Sequence, residues 1–327
     1  MTRPAVLVSR RVFDDIVDRL RQHFDVTTNP DDTVWPQAEL IARLQGKVGV
    51  FITGSEKIDA ALLDACPDLR AVCTMAVGYN NIDVAACTAR GVVVTNAPDV
   101  LTETTADFGF ALMMAAARRI AESEHFLRRG EWNKWSVDMF AGSDVHGATL
   151  GVLGMGRIGQ AIARRGALGF GMQVVYHNRS RLPADIEATL GARWVSKEEL
   201  LRQADHLVIV VPYSAASHHL VGAAELALMK PGATLTNIAR GGVVDDAALA
   251  RALKDRVIAA AALDVFEGEP QFNRDLLDAP SVVLTPHIAS ASIPTRRAMA
   301  NLATDNLIAL LTGGEPKTAL NPEARKR

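Results

Sequence analysis

The sequence has few cysteines, no block of like charges and no long apolar run. Each of these absences excludes a class of protein. Its three cysteines, Cys66, Cys73 and Cys87, are too few and too irregularly spaced for a disulfide framework or a zinc site. The formal net charge is −2 and no basic block occurs, which argues against a nucleic acid or an anionic membrane as a partner. These features favour a protein of the reducing cytoplasm.

The sequence also carries no recognisable signal for export or anchoring. Residues 1–25 contain Asp14, Asp15 and Asp18, and they lack the charged start, apolar stretch and small-residue cleavage site of a signal peptide. No apolar run approaches the ~18 residues that a membrane span requires. We therefore expect a cytoplasmic location and no membrane partner.

What the sequence does contain is an alternation of short valine-rich runs and helical patterns, in two series. The predicted strands are 5–9, 48–52, 69–75 and 92–95 in the first series, and 149–153, 173–176, 206–211, 234–237, 259–264 and 282–285 in the second. A helical pattern over 106–126 and a polar stretch with tryptophans lie between them. This alternation predicts an α/β protein with two parallel-sheet domains, a number that suits its length.

A glycine-rich segment opens the second series. Gly154, Gly156 and Gly159 form a G-x-G-x-x-G pattern directly after an apolar run and directly before an alanine-rich helix. In this context the glycines permit a tight turn, a close approach of backbone to a pyrophosphate, and tight packing of helix on strand. The segment predicts a dinucleotide site.

The residues that follow indicate which dinucleotide is bound. NAD-binding chains carry an acid about 20 residues after the glycines, but no Asp or Glu occurs between Gly154 and Asp185. The equivalent segment instead supplies an amide, two guanidinium groups and a hydroxyl, from Asn178, Arg179, Ser180 and Arg181. These groups suit a 2′-phosphate, so NADP(H) is the preferred cofactor. Solvated arginines with use of NAD(H) remain the alternative.

Three polar residues follow predicted strands of the second series. Arg240, Glu269 and His287 each come just after an apolar run, where the carboxyl ends of parallel strands form a crevice. Arg240 suits a 2-oxo carboxylate, and a Glu–His pair suits delivery of a proton to a carbonyl oxygen. The set predicts hydride-transfer chemistry on a small acid.

Two further features allow more than one interpretation. Asp264 ends a predicted strand, where it either hydrogen-bonds a nicotinamide carboxamide or caps the next turn. His218 and His219 are adjacent, and neighbouring side chains in a strand or helix point apart. With no third ligand at a useful spacing, we predict no metal site.

At these residues the chain resembles the D-2-hydroxyacid dehydrogenase family, and within it the NADPH-using glyoxylate/hydroxypyruvate reductases. The similar segments span nearly the whole chain and comprise AVGYNNID at 76–83, VLTETTADF at 100–108, the glycine segment with HNRSR, VVP at 210–212, NIARGGVVDD at 237–246, ALDVFEGEP at 262–270 and TPH at 285–287.

The resemblance implies roles for individual residues. Arg240, Glu269 and His287 would be the catalytic set, with Arg240 binding substrate, His287 acting as general acid/base and Glu269 tuning His287. The backbone N–H groups of Val77 and Gly78 would hold the substrate carboxylate. Besides the glycines and the HNRSR segment, the cofactor would contact Thr105, Arg157, Ile158, Val211, Pro212, Ile238, Ala239 and Asp264.

The resemblance also implies a domain organisation. Residues 1–99 and 286–327 would form a discontinuous substrate domain, and 100–285 a dinucleotide-binding domain, both Rossmann-like or flavodoxin-like, with an active-site cleft between them. Trp135, Met139 and Phe140 would lie in a dimerisation arm near 100–147, which implies a homodimer. Alternatively these side chains pack only within the arm.

Together these observations predict NADPH-dependent reduction of a small 2-oxo acid, glyoxylate to glycolate or hydroxypyruvate to D-glycerate. Reduction of 2-ketogluconate is the alternative within the family. A dinucleotide-sensing protein, similar to corepressors of the same fold, is the alternative outside enzymes.

Overall fold

The computed structural model describes residues 3–326, which divide into two compact units. The first unit combines the residues up to Leu101 with those from Ala291 onward, and the second spans Thr102–Ser290. His287 therefore belongs to the second unit. Within the described residues, no helix is both long enough and apolar enough to span a membrane.

The first unit opens with alternating strands and helices: β1 (Ala5–Val8), α1 (Asp14–Arg21), β2 (Asp25–Thr27), α2 (Gln37–Leu44), β3 (Gly49–Ile52), α3 (Ala60–Ala65), β4 (Ala71–Thr74), α4 (Val84–Ala89) and β5 (Val93–Thr95). The strands form one parallel sheet in the order β2-β1-β3-β4-β5. Every residue of β3 and β4 is buried, as expected where helices cover both faces of a parallel sheet. The edge strand β2 escaped the sequence prediction because it is short and only half-buried.

The second unit contains α5 (Thr102–Ala117), α6 (Ile120–Arg128), β6 (Thr149–Leu153), α7 (Arg157–Arg164), β7 (Gln173–His177), α8 (Ala184–Leu190), β8 (Ala192–Trp194), α9 (Lys197–Gln203), β9 (His206–Ile209), α10 (Ala223–Leu226), β10 (Thr234–Asn237), α11 (Asp246–Lys254), β11 (Ala260–Leu263) and β12 (Val282–Leu284). Its seven strands are parallel, in the order β12-β11-β10-β9-β6-β7-β8. The strand order reverses between β6 and β9, which is where open α/β sheets bind ligands.

The two faces of this larger sheet bury separate cores. Along β9, Leu207 and Ile209 pack in one apolar cluster and Val208 packs in the other. Successive side chains of a strand point to opposite faces, so an uninterrupted apolar strand supplies both cores. The α/β class with two Rossmann-like parallel sheets, predicted from the sequence, is confirmed.

The C-terminal segment completes the first unit. After β12 the chain forms α12 (Ile293–Thr312), which packs against β3 and β4. The contact is close, since a β-carbon at Gly49 would lie 2.8 Å from side-chain carbons of Leu307 and Leu311. Beyond α12, Asn321 is buried and bonds the backbone of Val92, just before β5, and of Val94, within β5.

One helical prediction needs correction. The pattern over 106–126 predicted a single helix, whereas the structure has α5 and α6 with a break between Ala117 and Ile120. Arg119 lies in the left-handed region with φ 52°, which ends the helical path without a glycine or a proline. Its guanidinium group then donates to Glu122 in the first turn of α6. No breaker residue marked this turn in the sequence.

Candidate active site

The imidazole of His287 and the carboxylate of Glu269 form a direct pair. Glu269 follows β11, His287 follows β12, and Nδ1 of His287 lies 2.6 Å from Oε1 of Glu269. The second carboxylate oxygen accepts a hydrogen bond from the backbone N–H of Phe266 at 3.2 Å. Burial opposes the charge of Glu269, but these bonds and the nearby cations outweigh burial and lower its pKa. Glu269 is thus held as the anion facing the histidine.

The turn that carries His287 is held by Asp264, at the end of β11. Its carboxylate accepts hydrogen bonds from the N–H groups of Ile288 and Ala289, both at 2.8 Å, and from the hydroxyl of Thr285 at 2.7 Å. His287 itself has a φ of 55°, a backbone conformation that costs energy and persists only where the surrounding structure holds it. Burial of Asp264 raises its pKa despite these donors. The carboxylate of Asp264 thus organises the turn after β12, and not the next turn along the chain that the sequence interpretation named.

Arg240 follows β10 and is held by close backbone packing. A β-carbon at Gly241 would lie 1.6 Å from the carbonyl oxygen of Phe266, so only glycine allows the turn after Arg240 to contact the segment that leads to Glu269. Nη1 of Arg240 donates to the carbonyl oxygen of Ala239 at 2.7 Å. Burial lowers the pKa of Arg240 and the charge of Glu269 opposes this effect.

A cation, an acid and an imidazole therefore follow three adjacent strands of one sheet. Arg240 follows β10, Glu269 follows β11 and His287 follows β12, and these strands are neighbours. Glu269 contacts His287 directly and interacts electrostatically with Arg240. The arrangement can hold an anionic group and deliver a proton beside it.

The glycine segment has the backbone that a dinucleotide requires. Gly154 has a φ of 102°, and a β-carbon at Gly159 would lie 2.2 Å from the carbonyl oxygen of Gly154. A β-carbon at Gly156, in contrast, would meet nothing within 4 Å. Gly156 precedes α7, whose first turn has no side-chain cap. This open N-terminus fits a pyrophosphate, and the site as a whole fits a nicotinamide dinucleotide.

The segment predicted to bind a 2′-phosphate has one arginine already engaged. Arg181 donates to both carboxylate oxygens of Glu187, at 2.6 Å for the closest contact, and the hydroxyl of Tyr176 donates to the same carboxylate at 2.7 Å. Arg179 is exposed and has no ion-pair partner among residues 3–326. Asn178 accepts a hydrogen bond from the backbone N–H of Met155 at 2.7 Å, which ties this segment to the glycine turn. Sequence reasoning missed Glu187, because nothing in the spacing indicated its partner.

Thr105 is the clearest of the other predicted cofactor contacts. Its hydroxyl is buried and has no hydrogen-bond partner within the described part of the chain. A buried polar atom without a partner is costly, which is consistent with a ligand that supplies one. The remaining predicted contacts lie in the second unit, at the start of α7, after β7, after β9 and after β10: Arg157, Ile158, Ser180, Val211, Pro212, Ile238 and Ala239.

Val77 and Gly78 lie in the first unit, after β4. The carbonyl oxygen of Val77 accepts a hydrogen bond from the side chain of Asn96 at 2.8 Å. Within residues 3–326 the backbone N–H groups of Val77 and Gly78 have no acceptor.

The first unit also contains a cavity of about 580 Å³ that the sequence did not predict, lined in part by Met75 and Arg296.

Comparisons with known proteins all find 2-hydroxyacid dehydrogenases or glyoxylate reductases. The family model for the NAD-binding domain of D-isomer specific 2-hydroxyacid dehydrogenases matches residues 110–289. Glyoxylate reductases of Thermococcus gammatolerans and Aeropyrum pernix are each 45% identical, over 99% and 100% of this chain and 98% of theirs. The solved NADPH-dependent glyoxylate/hydroxypyruvate reductase of Sinorhizobium meliloti, in complex with NADP and malonate, has a TM-score of 0.87 and 36% identity, and the match covers 99% of this chain and 98% of that one.

Proposed function

The chain belongs to the D-isomer specific 2-hydroxyacid dehydrogenase family, and on that premise we propose that it is an NADPH-dependent reductase of small 2-oxo acids. Glyoxylate and hydroxypyruvate are the proposed substrates. The observation that carries the proposal is the 2.6 Å contact between His287 and Glu269, with the partly buried Arg240 nearby and the glycine segment in the same unit. The names of the relatives support the choice of substrates.

In the proposed reaction the reduced nicotinamide supplies a hydride, and the protein residues supply binding and a proton. Arg240, with its fork of donors, binds the substrate carboxylate, and the N–H groups of Val77 and Gly78 are the donors that we propose for substrate in the first unit. His287 donates a proton to the carbonyl oxygen as negative charge develops there. Glu269 accepts a hydrogen bond from Nδ1 of His287, which fixes the orientation of the imidazole ring.

The preference for NADPH rests on the segment 178–181. It offers Arg179 without an ion-pair partner among the described residues, and it has no acid to repel a 2′-phosphate. The Sinorhizobium meliloti enzyme, whose structure contains NADP, supports the same preference. We further propose that residues 1–99 with 286–327 bind substrate, that 100–285 bind the cofactor, and that the chain acts as a cytoplasmic homodimer.

A steady-state assay that follows NADPH or NADH absorbance tests the proposal. Glyoxylate, hydroxypyruvate, pyruvate and 2-ketogluconate are compared with each cofactor. We expect the highest kcat/KM for NADPH with glyoxylate or hydroxypyruvate. Activity confined to 2-ketogluconate or to NADH would contradict the substrate or the cofactor. Cofactor binding without turnover of any 2-oxo acid would contradict the enzyme and favour a dinucleotide sensor.

A further inference from the structure

A second cluster of chemically active side chains lies in the second unit, apart from the catalytic pair. His218 and His219 follow the short 3₁₀ segment Ala215–Ser217, and Glu267 follows β11. One nitrogen of each histidine and one carboxylate oxygen of Glu267 all lie within 4.8 Å of one another. The three residues are exposed, so the cluster is accessible from solvent.

The backbone of His219 brings the two imidazoles together. In a strand or helix, adjacent side chains diverge, but His219 has a φ of 50°, and its N–H donates to the carbonyl oxygen of Gly242 at 2.7 Å. As a result the rings of His218 and His219 stack with their centroids 3.9 Å apart and their planes 22° apart. The expectation that these rings point apart is therefore wrong.

Hydrogen bonds hold the members of the cluster in place. Nδ1 of His218 lies 3.2 Å from the hydroxyl of Tyr213, and when Nδ1–H donates to that oxygen, Nε2 keeps its lone pair. Nε2 of His219 lies 2.8 Å from Oε2 of Glu267. The backbone N–H of Glu267 donates to the carboxylate of Asp246 at 3.0 Å, which fixes the start of the Glu267 turn.

An ion pair between His219 and Glu267 accounts for only part of this arrangement. The hydrogen bond that His219 donates to the carboxylate of Glu267 raises the pKa of His219. The stacked ring of His218, with its centroid 3.9 Å away, lies outside this ion pair. One divalent ion in place of the shared proton would satisfy both imidazoles and the carboxylate together.

We propose that His218, His219 and Glu267 form a surface binding site for a divalent transition-metal ion of the zinc class. Two imidazoles and one carboxylate are a donor set that Zn²⁺ takes with water in its fourth position. Imidazole ligands also disfavour Mg²⁺ and Ca²⁺, which prefer oxygen ligands. This site does not depend on the proposed function.

The proposed site is linked to the catalytic segment through two short connections. Glu267 lies two residues before Glu269, and the carbonyl oxygen that accepts from His219 belongs to Gly242, two residues after Arg240. A bound ion would therefore restrain both turns. Because the ion binds the folded chain, it raises the unfolding temperature.

Zinc titration of tag-free, chelator-treated protein tests the proposal, with isothermal calorimetry and thermal unfolding as readouts. The ligand variants are His218→Ala, Glu267→Gln and His219→Asn, since asparagine tolerates the left-handed backbone at 219. Tyr213→Phe removes the hydroxyl that orients His218. The matched control is His125→Ala, because His125 is also exposed and also lies beside a glutamate, Glu124. Circular dichroism without metal confirms that each variant is folded.

We expect one saturable Zn²⁺ per chain, with binding lost in the three ligand variants, about tenfold weaker in Tyr213→Phe and unchanged in His125→Ala. Zn²⁺ should raise the unfolding temperature of the native chain, and an excess of Mg²⁺ should not compete. Absence of saturable binding would overturn the proposal. So would wild-type affinity in the ligand variants, or an equal loss in His125→Ala, which would indicate adventitious binding to surface histidines.

Discussion

The guanidinium group of Arg181 is bonded to the buried carboxylate of Glu187, six residues further along the chain. Tyr176 donates to the same carboxylate, and its hydroxyl accepts from the backbone N–H of Leu182 at 2.7 Å. The end of the segment predicted to bind a 2′-phosphate is therefore anchored within the second unit. The two arginines of that segment have different surroundings, and we expect their replacement to have different effects.

Arg179→Ala should weaken NADPH binding about tenfold or more and leave NADH binding nearly unchanged, because it removes the charged donor that we propose for the 2′-phosphate, a group that NADH lacks. Arg181→Ala should weaken both cofactors, because it also releases the segment from Glu187. Fluorescence titration of each variant with each cofactor gives the four dissociation constants. Equal losses for NADPH and NADH in Arg179→Ala would remove this residue from phosphate recognition.

His287→Asn should lower kcat about 10²- to 10⁴-fold and leave the NADPH dissociation constant unchanged, as expected for loss of a general acid. Asparagine is the preferred replacement because the backbone φ of 55° at this position suits it. Glu269→Gln should reduce kcat less, since the histidine remains but loses its anionic partner. A wild-type kcat in His287→Asn would exclude this residue from proton transfer.

Asp264→Asn tests whether Asp264 organises the His287 turn or binds the cofactor directly. The carboxylate of Asp264 now accepts from two backbone N–H groups. In the asparagine variant the side-chain NH₂ would face one of these N–H groups, and the lost hydrogen bond would destabilise the His287 turn by about 1–3 kcal/mol. We expect kcat to fall about tenfold or more with unchanged NADPH affinity. Thr285→Val, which removes a single hydrogen bond to Asp264, should have the smaller effect. A loss confined to cofactor affinity would instead assign Asp264 to the nicotinamide.

The sequence predicted those features that depend on local spacing, and it missed those that depend on distant partners. The glycine turn, the long apolar strands and the positions of Arg240, Glu269 and His287 after strands all follow from patterns within a few residues. The pairing of Arg181 with Glu187 and the stacking of His218 on His219 depend on backbone conformations and neighbours that no short pattern records. The edge strands β2 and β8 are three residues each, too short for a period of two to be visible.

Asp305 in α12 predicts a pH-dependent contribution to stability. Burial opposes its charge, but hydrogen bonds from Lys317 and Arg19 and their charges outweigh burial and lower its pKa below the usual 3.8. The unfolded carboxyl therefore binds its proton at a higher pH than the folded one. The stabilisation is complete above the usual pKa and is lost as the pH falls through the lowered, folded value.

Asp305→Asn should thus reduce the free energy of unfolding by about 1 kcal/mol at neutral pH, and the difference from wild type should vanish only in strong acid. Urea unfolding of both proteins at a series of pH values measures this difference in the free energy of unfolding. Asp18→Asn is the control, because Asp18 pairs with Arg21 at a more exposed site. The side chain of Asp18 is 68% exposed, whereas that of Asp305 is 24% exposed. A difference that grows on acidification would contradict the lowered pKa.

Asn321→Ala should destabilise the first unit by about 1–3 kcal/mol, because it leaves buried backbone groups without partners. The side chain accepts from the N–H of Val94 at 2.7 Å and donates to the carbonyl oxygen of Val92 at 2.9 Å and to the hydroxyl of Thr88 at 2.8 Å. Thermal unfolding and hydrogen exchange of β5 measure the loss. Glu323→Ala is the exposed control nearby. Unchanged exchange in β5 would contradict the role of Asn321.

The discontinuous first unit has a consequence for synthesis of the chain on the ribosome. The strands β1–β5 emerge before the second unit, yet the helix that covers β3 and β4 and the Asn321 side chain that bonds Val92 and Val94 are made after it. The second unit, by contrast, is contiguous and can fold as soon as it has emerged. The first unit is therefore completed only after the second unit has been made, and its apolar strands wait for α12 while the second unit can already fold.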